Sequence, residues 1–168
     1  EALPILRETL AGAEDGEIFA ERHKSEALTF DDGRLRSASY DASEGFGLRA
    51  VNGEVAGYAH STEVSIPALK RASQTARLAV GEGGGTYADA PQATNAKLYT
   101  DADPIGDLPF PVKVETLREI DAFARDLDKR VVQVSASIAA SLQEIEILRA
   151  DGVRVRDTRP MTRLNVSV

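Results

Sequence analysis

Residues 45–60 read GFGLRAVNGEVAGYAH, and this stretch decides the fold. Its first half, from Gly45 to Val51, predicts a β-strand that runs into Asn52-Gly53. That pair favours a two-residue hairpin turn, because glycine adopts positive φ without steric cost. Residues 54–60 then return as an antiparallel strand. The stretch therefore predicts a hairpin, which is the building unit of an antiparallel sheet.

Two Asp-Gly pairs predict further hairpins on either side of this stretch. Asp32-Gly33 joins strand-like alternation in residues 18–30 to a second strand over residues 34–40. Asp151-Gly152 separates residues 145–147 from residues 153–155 in the same way. The hairpin at Asp32-Gly33 and the hairpin of residues 45–60 together predict four strands in the first half of the chain.

The second half of the chain also shows a period of two. Apolar and polar residues alternate from Val132 to Ala140, which is typical of a half-buried strand. The phase then slips by one, which predicts a turn or bulge near residues 141–143. Thr158-Arg159-Pro160 predicts a break before a last strand at residues 164–168. About four strands are expected here as well.

Three segments carry the spacing of an amphipathic helix. The first closes at two glycines, the second begins at an N-cap serine with a proline in its first turn, and the third has a wide apolar stripe. The first segment has Leu3, Leu6 and Leu10 before Gly12 and Gly16. The second runs from Ser65 and Pro67 to Val80, and the third includes Val114, Ile120 and Leu127. A glycine-rich C-cap at residues 81–85 leads into a long surface loop, about 82–111.

Hairpins bracketed by helices indicate an α+β fold, with an antiparallel or mixed β-sheet and about three helices packed on it in two layers. The length of 168 residues favours a single domain over residues 1–168.

Composition excludes several classes of function. The chain has 20 Lys and Arg against 27 Asp and Glu, a net charge of −7, and its basic residues are scattered, which argues against a nucleic-acid-binding module. It has no cysteine, which removes disulfides, thiolate nucleophiles and cysteine-ligated metals. No apolar run is long enough to span a membrane.

Few residues are candidates for chemistry. His23 and His60 are the only histidines, and they form no His-x-x-x-His pair, so each is interpreted as an ordinary strand residue. Gly45-x-Gly47-x-x-Ala50 matches the dinucleotide fingerprint in form, but it leads into a hairpin turn instead of a helix. The two glycines are therefore interpreted as places where strands lie close or bulge.

Acidic residues in turns and loops could hold a hard cation weakly, but their spacing lacks the order of a calcium loop. They are interpreted as solvated loop acids, and they are Asp31, Asp32, Asp101, Asp103 and Asp107. On chemistry alone the chain is a non-catalytic α+β domain that could bind a peptide by strand addition at an open sheet edge.

Several segments, taken in order, resemble one protein family. They are residues 30–40, residues 44–59, the helix near residues 69–79, Leu98-Tyr99-Thr100 with Asp103-Pro104, Asp128-Lys129-Arg130-Val131, and the pattern from Asp157 through Arg159-Pro160 and Arg163-Leu164 to Val168. Together they resemble the N-terminal domain of the TldD/PmbA family of bacterial zinc metallopeptidases, in particular its TldD branch.

That resemblance implies a cytoplasmic peptidase active in proteolysis and peptide maturation, of a family once described as modulators of DNA gyrase. It places the catalytic zinc domain, with a His-Glu-x-x-x-His helix and a later cysteine, C-terminal to Val168. We therefore expect no catalytic residue, no metal ligand and no zinc in residues 1–168, and their substrate-binding residues are unknown.

The resemblance also implies partners. They are a PmbA-type homologous subunit in a heterodimer, or a second copy by self-association, and an unfolded peptide substrate; neither nucleic acid nor a membrane is expected. The implied role is to contribute to subunit assembly and to the substrate cleft, so the isolated chain should be inactive. The alternative is a free-standing peptide- or protein-binding module without catalysis.

Overall fold

The computed structural model describes residues 2–11, 13–81 and 97–168. Three helices and five strands follow one another along the chain, numbered here in chain order. They are α1 (Ala2–Thr9), β1 (Asp15–Asp31), β2 (Arg34–Asn52), β3 (Val55–Ser61), α2 (Ile66–Val80), α3 (Phe110–Leu127), β4 (Ser135–Arg149) and β5 (Arg154–Ser167).

The five strands form one open sheet in the order β3-β2-β1-β4-β5. The pair β2 and β3 is antiparallel. In the pair β1 and β4, the amide of Asp32 donates to Val134 at 2.9 Å and the amide of Ala150 donates to Gly16 at 3.3 Å, so the end of each strand meets the start of the other. The α+β class is confirmed, and the sheet is antiparallel throughout.

The predicted hairpins are present, with one shift in register. Asp32 and Gly33 both have positive φ, 50° and 75°, as the mirror-image turns of two-residue hairpins require. At the second hairpin Asn52 pairs with Val55, so the turn consists of Gly53 and Glu54 instead of Asn52-Gly53. Gly53, with φ of 58°, is its first central residue.

The predicted number of strands is wrong, because the strands are longer than the sequence suggests. The first half has three strands, since β2 runs unbroken from Arg34 to Asn52. The second half has two, since β4 passes through residues 141–143 without a turn and starts at Ser135 instead of Val132. Pro160 lies inside β5, which is an edge strand, and edge strands tolerate a residue without an amide hydrogen.

The chain divides into two compact units. Unit 1 comprises the described parts of Glu1–Arg22, Ser43–Lys97 and Glu144–Asp157. Its core joins α1 and α2 to the strands through Leu6, Leu48 and Ala76, all fully buried. Helix α2 packs closely on β3. A Cβ at Gly57 would lie only 2.3 Å from the carbonyl oxygen of Ala76, so this approach requires glycine.

Unit 2 comprises His23–Ala42, Leu98–Gln143 and Thr158–Val168. Leu28 and Phe30 of β1 and Ala136 of β4 pack with Leu117 of α3, and each is at most 1 % exposed. Helix α3 begins at Phe110, four residues earlier than the sequence predicts, because Pro109 and Pro111 suit the first turn of a helix.

The caps predicted for α2 are confirmed at Ser65 and at Gly81. Ser65 accepts a hydrogen bond from the amide of Ala68, and Gly81, with φ of 73°, donates to Arg77 at 3.1 Å. Gly12 and residues 82–96, which include most of the predicted glycine-rich cap and the first half of the predicted loop, lie outside the described residues. No helix in the described ranges is long and apolar enough to cross a membrane.

Candidate functional site

A groove of about 410 Å³ lies on the sheet of unit 1 and is floored by two glycines. We call it the glycine groove. Because Leu48 and Ala59 point into the core and side chains alternate along a strand, the neighbours of these residues point to the opposite face. The groove is defined by Phe19 and Glu21 of β1, Gly45 and Gly47 of β2, and Tyr58 and His60 of β3.

The two glycines make room for the groove and for one of its walls. A Cβ at Gly47 would lie 2.6 Å from the hydroxyl oxygen of Tyr58, so the tyrosine ring can lie over this position only because the side chain is absent. A Cβ at Gly45 would lie 2.8 Å from the carbonyl oxygen of Ser61. The interpretation of these glycines as points of close approach is confirmed, and the structure adds the groove that they create.

Aromatic rings line both sides of the glycine groove. On β3 the ring centroids of Tyr58 and His60 are 6.2 Å apart with 35° between the ring planes. Tyr58 is 63 % exposed, and Phe19 on β1 is 37 % exposed. These aromatic side chains around one groove make it a candidate binding site.

The charge next to the groove is negative. Glu21 lies in the lining itself. The neighbouring Arg49 is held by Glu17 at 2.7 and 2.9 Å and by Asp15 at 3.1 Å, so two carboxylates offset its positive charge. The hydrogen bond from Arg49 to Glu17 is the main reason why the pKa of Arg49 is raised.

The two histidines lie on strands, as the sequence predicts. His23 is in β1 within unit 2, and His60 is in β3 within unit 1. The sequence does not reveal that His60 lines a groove, because its neighbours in that groove come from two other strands.

The chain does not offer a zinc site in the residues described. Among them, no three His, Asp or Glu side chains lie close enough to hold a metal ion, and the sequence has no cysteine. Structural and catalytic zinc sites need at least three protein ligands. These residues do not fit the metal that the family resemblance implies, so we derive no catalytic step through it.

Asp103 is half-buried and held by several donors, contrary to its interpretation as a solvated loop acid, whereas Asp107 is an exposed loop residue, as that interpretation predicts. Asp103 accepts hydrogen bonds from the amides of Ile105 and Gly106, both at 3.0 Å, and from the ammonium of Lys24 at 2.8 Å. Asp107 accepts from the amide of Asp103 at 2.9 Å. The Lys24 contact is the main reason why the pKa of Asp103 is lowered.

Asp31 and Asp32 are also engaged by basic side chains. Asp31 lies 3.6 Å from the guanidinium of Arg36, and Asp32 accepts a hydrogen bond from Arg125 of α3. These contacts fix the first hairpin turn and α3 within unit 2.

A buried ion pair that sequence analysis missed lies beside this loop. Lys113 is 3 % exposed, and its ammonium donates to both carboxylate oxygens of Glu26, at 2.9 and 3.0 Å, and to the carbonyl of Ile105 at 2.8 Å. A signal was available, because Lys113 occupies the same stripe of α3 as Leu117 and Ala124. A lysine on an apolar stripe is buried only with a partner.

Both edges of the sheet are open in unit 2. Strand β3 pairs only with residues 46–52 of β2, so within the described ranges no strand continues the sheet beside residues 34–45. On the opposite edge β5 exposes Met161, Leu164 and Val166 by 58 %, 53 % and 47 %. Open edges with exposed apolar residues are templates for pairing with another strand.

Comparison of the sequence with models of protein families shows which family the chain belongs to. The family model described as PmbA/TldA metallopeptidase domain 1 matches residues 16–80, and the model described as PmbA/TldA metallopeptidase central domain matches residues 103–168. The chain belongs to the PmbA/TldD metallopeptidase family. The family resemblance seen in the sequence is thereby confirmed.

Curated members of the PmbA/TldD family are similar along most of the chain. A metalloprotease TldD homolog of Buchnera aphidicola subsp. Acyrthosiphon pisum is 28 % identical over 154 residues, which cover 91 % of this chain and 32 % of the relative. A TldD homolog of Haemophilus influenzae is 29 % identical over 157 residues, with 90 % and 32 % covered. The chain thus spans about a third of the length of these relatives.

A solved structure supports the fold. TldE from Thermococcus kodakarensis superposes with a TM-score of 0.70 at 16 % identity, over 99 % of this chain and 39 % of that one. Identity this low speaks for the fold alone. It shows that this long-stranded antiparallel sheet with its helices also occurs in that protein.

Proposed function

We propose that this chain serves a TldD-type zinc metallopeptidase of the cytoplasm as its scaffold. In this proposal it contributes to subunit assembly and shapes the cleft that admits an unfolded peptide. The zinc and the residues that act on the scissile bond are supplied by polypeptide outside residues 1–168. Proteolysis and peptide maturation are then functions of the whole protein.

The observation that carries this proposal is the open sheet edge at β5. Its exposed Met161, Leu164 and Val166 stand next to main-chain groups that have no strand partner on that side among the described residues. An added strand would satisfy those groups and give the apolar side chains cross-strand neighbours on both faces of the sheet. A homologous subunit or an extended peptide supplies such a strand, which links this surface to assembly and to substrate admission.

The charged pattern of β5 supports a specific partner over random aggregation. Arg154 and Arg156 of this strand both donate to Glu146 of β4, at 2.7 Å each, and lower the pKa of that carboxyl against the opposing effect of its burial. Charges along an edge disfavour indiscriminate strand pairing. Arg154 and Arg156 therefore protect the part of β5 that lies in unit 1 from indiscriminate pairing.

The experiment uses the whole gene product with Leu164→Lys in β5. The matched control is Leu78→Lys. This leucine is 85 % exposed and lies on helix α2 instead of an edge strand. We expect the β5 variant to lose subunit assembly, measured by light scattering, and to lose chelator-sensitive cleavage of an unfolded fluorescent protein substrate. The control should retain both.

Normal assembly and cleavage by the Leu164→Lys variant would refute the role of the β5 edge. Cleavage that survives complete removal of metal would refute the metallopeptidase itself. The alternative, a free-standing binding module, predicts that the gene product captures peptides and hydrolyses none.

A further inference from the structure

Helix α3 carries a second apolar stripe beside the one that packs on the sheet. The packed stripe includes Leu117 and Ala124, which are both buried. The second stripe follows the helix at intervals of three or four residues, which keep side chains on one face. We call it the α3 seam, and it consists of Val112, Thr116, Ile120, Phe123 and Leu127.

The core of unit 2 covers only part of the α3 seam. Ile120 packs against that core, whereas Val112, Phe123 and Leu127 are 46 %, 65 % and 69 % exposed. Phe123 and Leu127 are four residues apart, so their side chains are neighbours on the helix surface. An apolar helix face that extends beyond its packed stripe indicates a contact with another molecule.

One border of the α3 seam is acidic. Glu119 lies four residues before Phe123 and Asp126 lies three residues after it, so the two acids flank that ring on the helix surface. Both are exposed, and neither has a hydrogen-bond or ion-pair partner among the residues that the structure describes. Glu115, on the same border, already pairs with Arg118 at 2.7 Å. The seam thus offers two carboxylates about 10.5 Å apart along the helix axis.

A basic amphipathic helix matches both the apolar seam and its border. Helices pair along apolar seams with this kind of spacing, and charges on the borders of a seam select the partner. Lysine or arginine residues seven positions apart on a partner helix have the same axial spacing as Glu119 and Asp126.

A second copy of α3 fits the seam less well. In an antiparallel pair about a two-fold axis, the acidic border of one copy would face the acidic border of the other, and like charges disfavour such a contact. The net charge of −7 on the chain also favours a basic partner over a second copy.

We propose that the α3 seam binds an amphipathic helix of a different polypeptide, and that this helix carries lysine or arginine residues seven positions apart along one border. Its apolar residues cover Phe123 and Leu127, and its basic residues pair with Glu119 and Asp126. The inference goes beyond the proposed function, because it adds a contact surface in unit 2 that depends neither on the β5 edge nor on peptidase activity.

The test measures binding of two labelled helical peptides to the whole gene product by fluorescence anisotropy. Each peptide is as long as α3, 18 residues, and carries leucines at its seam positions. The border positions hold lysine in one peptide and glutamate in the other, and circular dichroism establishes that the two have equal helical content. We expect the lysine peptide to bind about tenfold more tightly at low salt, and to lose this advantage as the ionic strength rises.

Variants of the apolar residues locate the contact. Phe123→Ser with Leu127→Ser should weaken binding of the lysine peptide about tenfold or more. The matched control is Leu78→Ser, because this leucine is also highly exposed on a helix but lies on α2. It should bind the peptide as the unmodified protein does. Hydrogen exchange of the unmodified protein should show α3 protected by the lysine peptide.

Reversal of the charges tests the border separately. Glu119→Lys with Asp126→Lys should reverse the preference, so that the glutamate peptide binds more tightly than the lysine peptide. This outcome is a gain of binding, which a misfolded variant would not produce. The control is Asp41→Lys with Glu54→Lys, since both are exposed acids outside α3, and it should keep the preference for lysine.

Equal binding of the two peptides, or no binding of either, would overturn the inference. It also fails if the charge-reversed variant keeps the preference for lysine. Self-association of the gene product that is lost in the Phe123→Ser, Leu127→Ser variant would overturn it as well, because a second copy would then occupy the seam. Assembly and cleavage by the β5 variant are measured separately, so this inference and the proposed function can fail independently.

Discussion

Replacing Lys113 by methionine should destabilise unit 2 strongly. The substitution keeps the length of the side chain and removes an ammonium that is 3 % exposed and donates three hydrogen bonds. It leaves the Glu26 carboxylate, only 12 % exposed, without its counter-charge, and the carbonyl of Ile105 without its donor. Breaking a buried pair from one side in this way costs about 3–5 kcal/mol.

A second variant separates the loss of the pair from the loss of packing. In the double variant Lys113→Met with Glu26→Leu, no charge stays buried, and only the Ile105 carbonyl lacks its partner, at a cost of about 1–3 kcal/mol. The double variant should therefore be more stable than Lys113→Met alone, by roughly 2 kcal/mol. If the two substitutions only removed independent contacts, their costs would add and the double variant would be the less stable of the two.

The assay is urea unfolding at pH 7, followed by far-ultraviolet circular dichroism, with amide hydrogen exchange of α3 to report on unit 2 by itself. Arg118→Met is the matched control, because Arg118 pairs with Glu115 at 2.7 Å while both side chains are more than half exposed. It should cost less than about 1 kcal/mol. A Lys113→Met effect no larger than that of the control, or a double variant less stable than the single one, would refute this reasoning.

Three further predictions concern local structure. Ser65→Ala should lower the stability of α2 by about 1 kcal/mol in thermal unfolding, with little change for Ser65→Thr, whose hydroxyl can keep both the cap and the hydrogen bond to Glu63. The lowered pKa of Asp103 beside Lys24 means that its stabilisation is present above the unfolded value of 3.8 and is lost as the pH falls through the lower folded value. Asp103→Asn should therefore flatten the acid limb of stability against pH, and an unchanged slope would count against the contact. Gly57→Ala should cost at least about 1–3 kcal/mol, because the new methyl group meets backbone of α2 at 2.3 Å, whereas Ala56→Ser on the exposed side of the same strand should cost little.

Local signals in the sequence predicted the features that depend on adjacent residues. The N-cap at Ser65 and the turn at Asp32-Gly33 each rest on the chemistry of two to four neighbouring positions, and both are confirmed. The hairpin after Asn52 was placed one residue early, because Gly53 serves as the first central residue of the turn and not the second.

The alternation of apolar and polar residues does not predict how long the strands are. The turn at Asp32-Gly33 predicts a strand over residues 34–40, but residues 41–44 are exposed on both faces of β2, so no apolar alternation joins that strand to residues 45–51. Pro160 looked like a break because proline is excluded from central strands, and only the topology reveals that β5 is an edge.

The candidate site could be predicted only in part for the same reason. Gly45 and Gly47 are close in sequence and stood out as points of strand contact. Their walls come from Phe19, about 26 residues earlier, and from Tyr58, which faces the groove only in the observed register of β2 and β3. Register is fixed by long-range packing, which a single sequence does not display.

The most direct test of the account compares the 168-residue chain with the whole gene product, each purified in the presence of zinc. Metal content is measured by mass spectrometry, and cleavage of an unfolded peptide substrate is measured in the same samples. We expect less than one tenth of an equivalent of zinc and no cleavage for residues 1–168, against about one zinc and chelator-sensitive cleavage for the whole protein. A stoichiometric zinc ion and peptide cleavage by the 168-residue chain alone would contradict it.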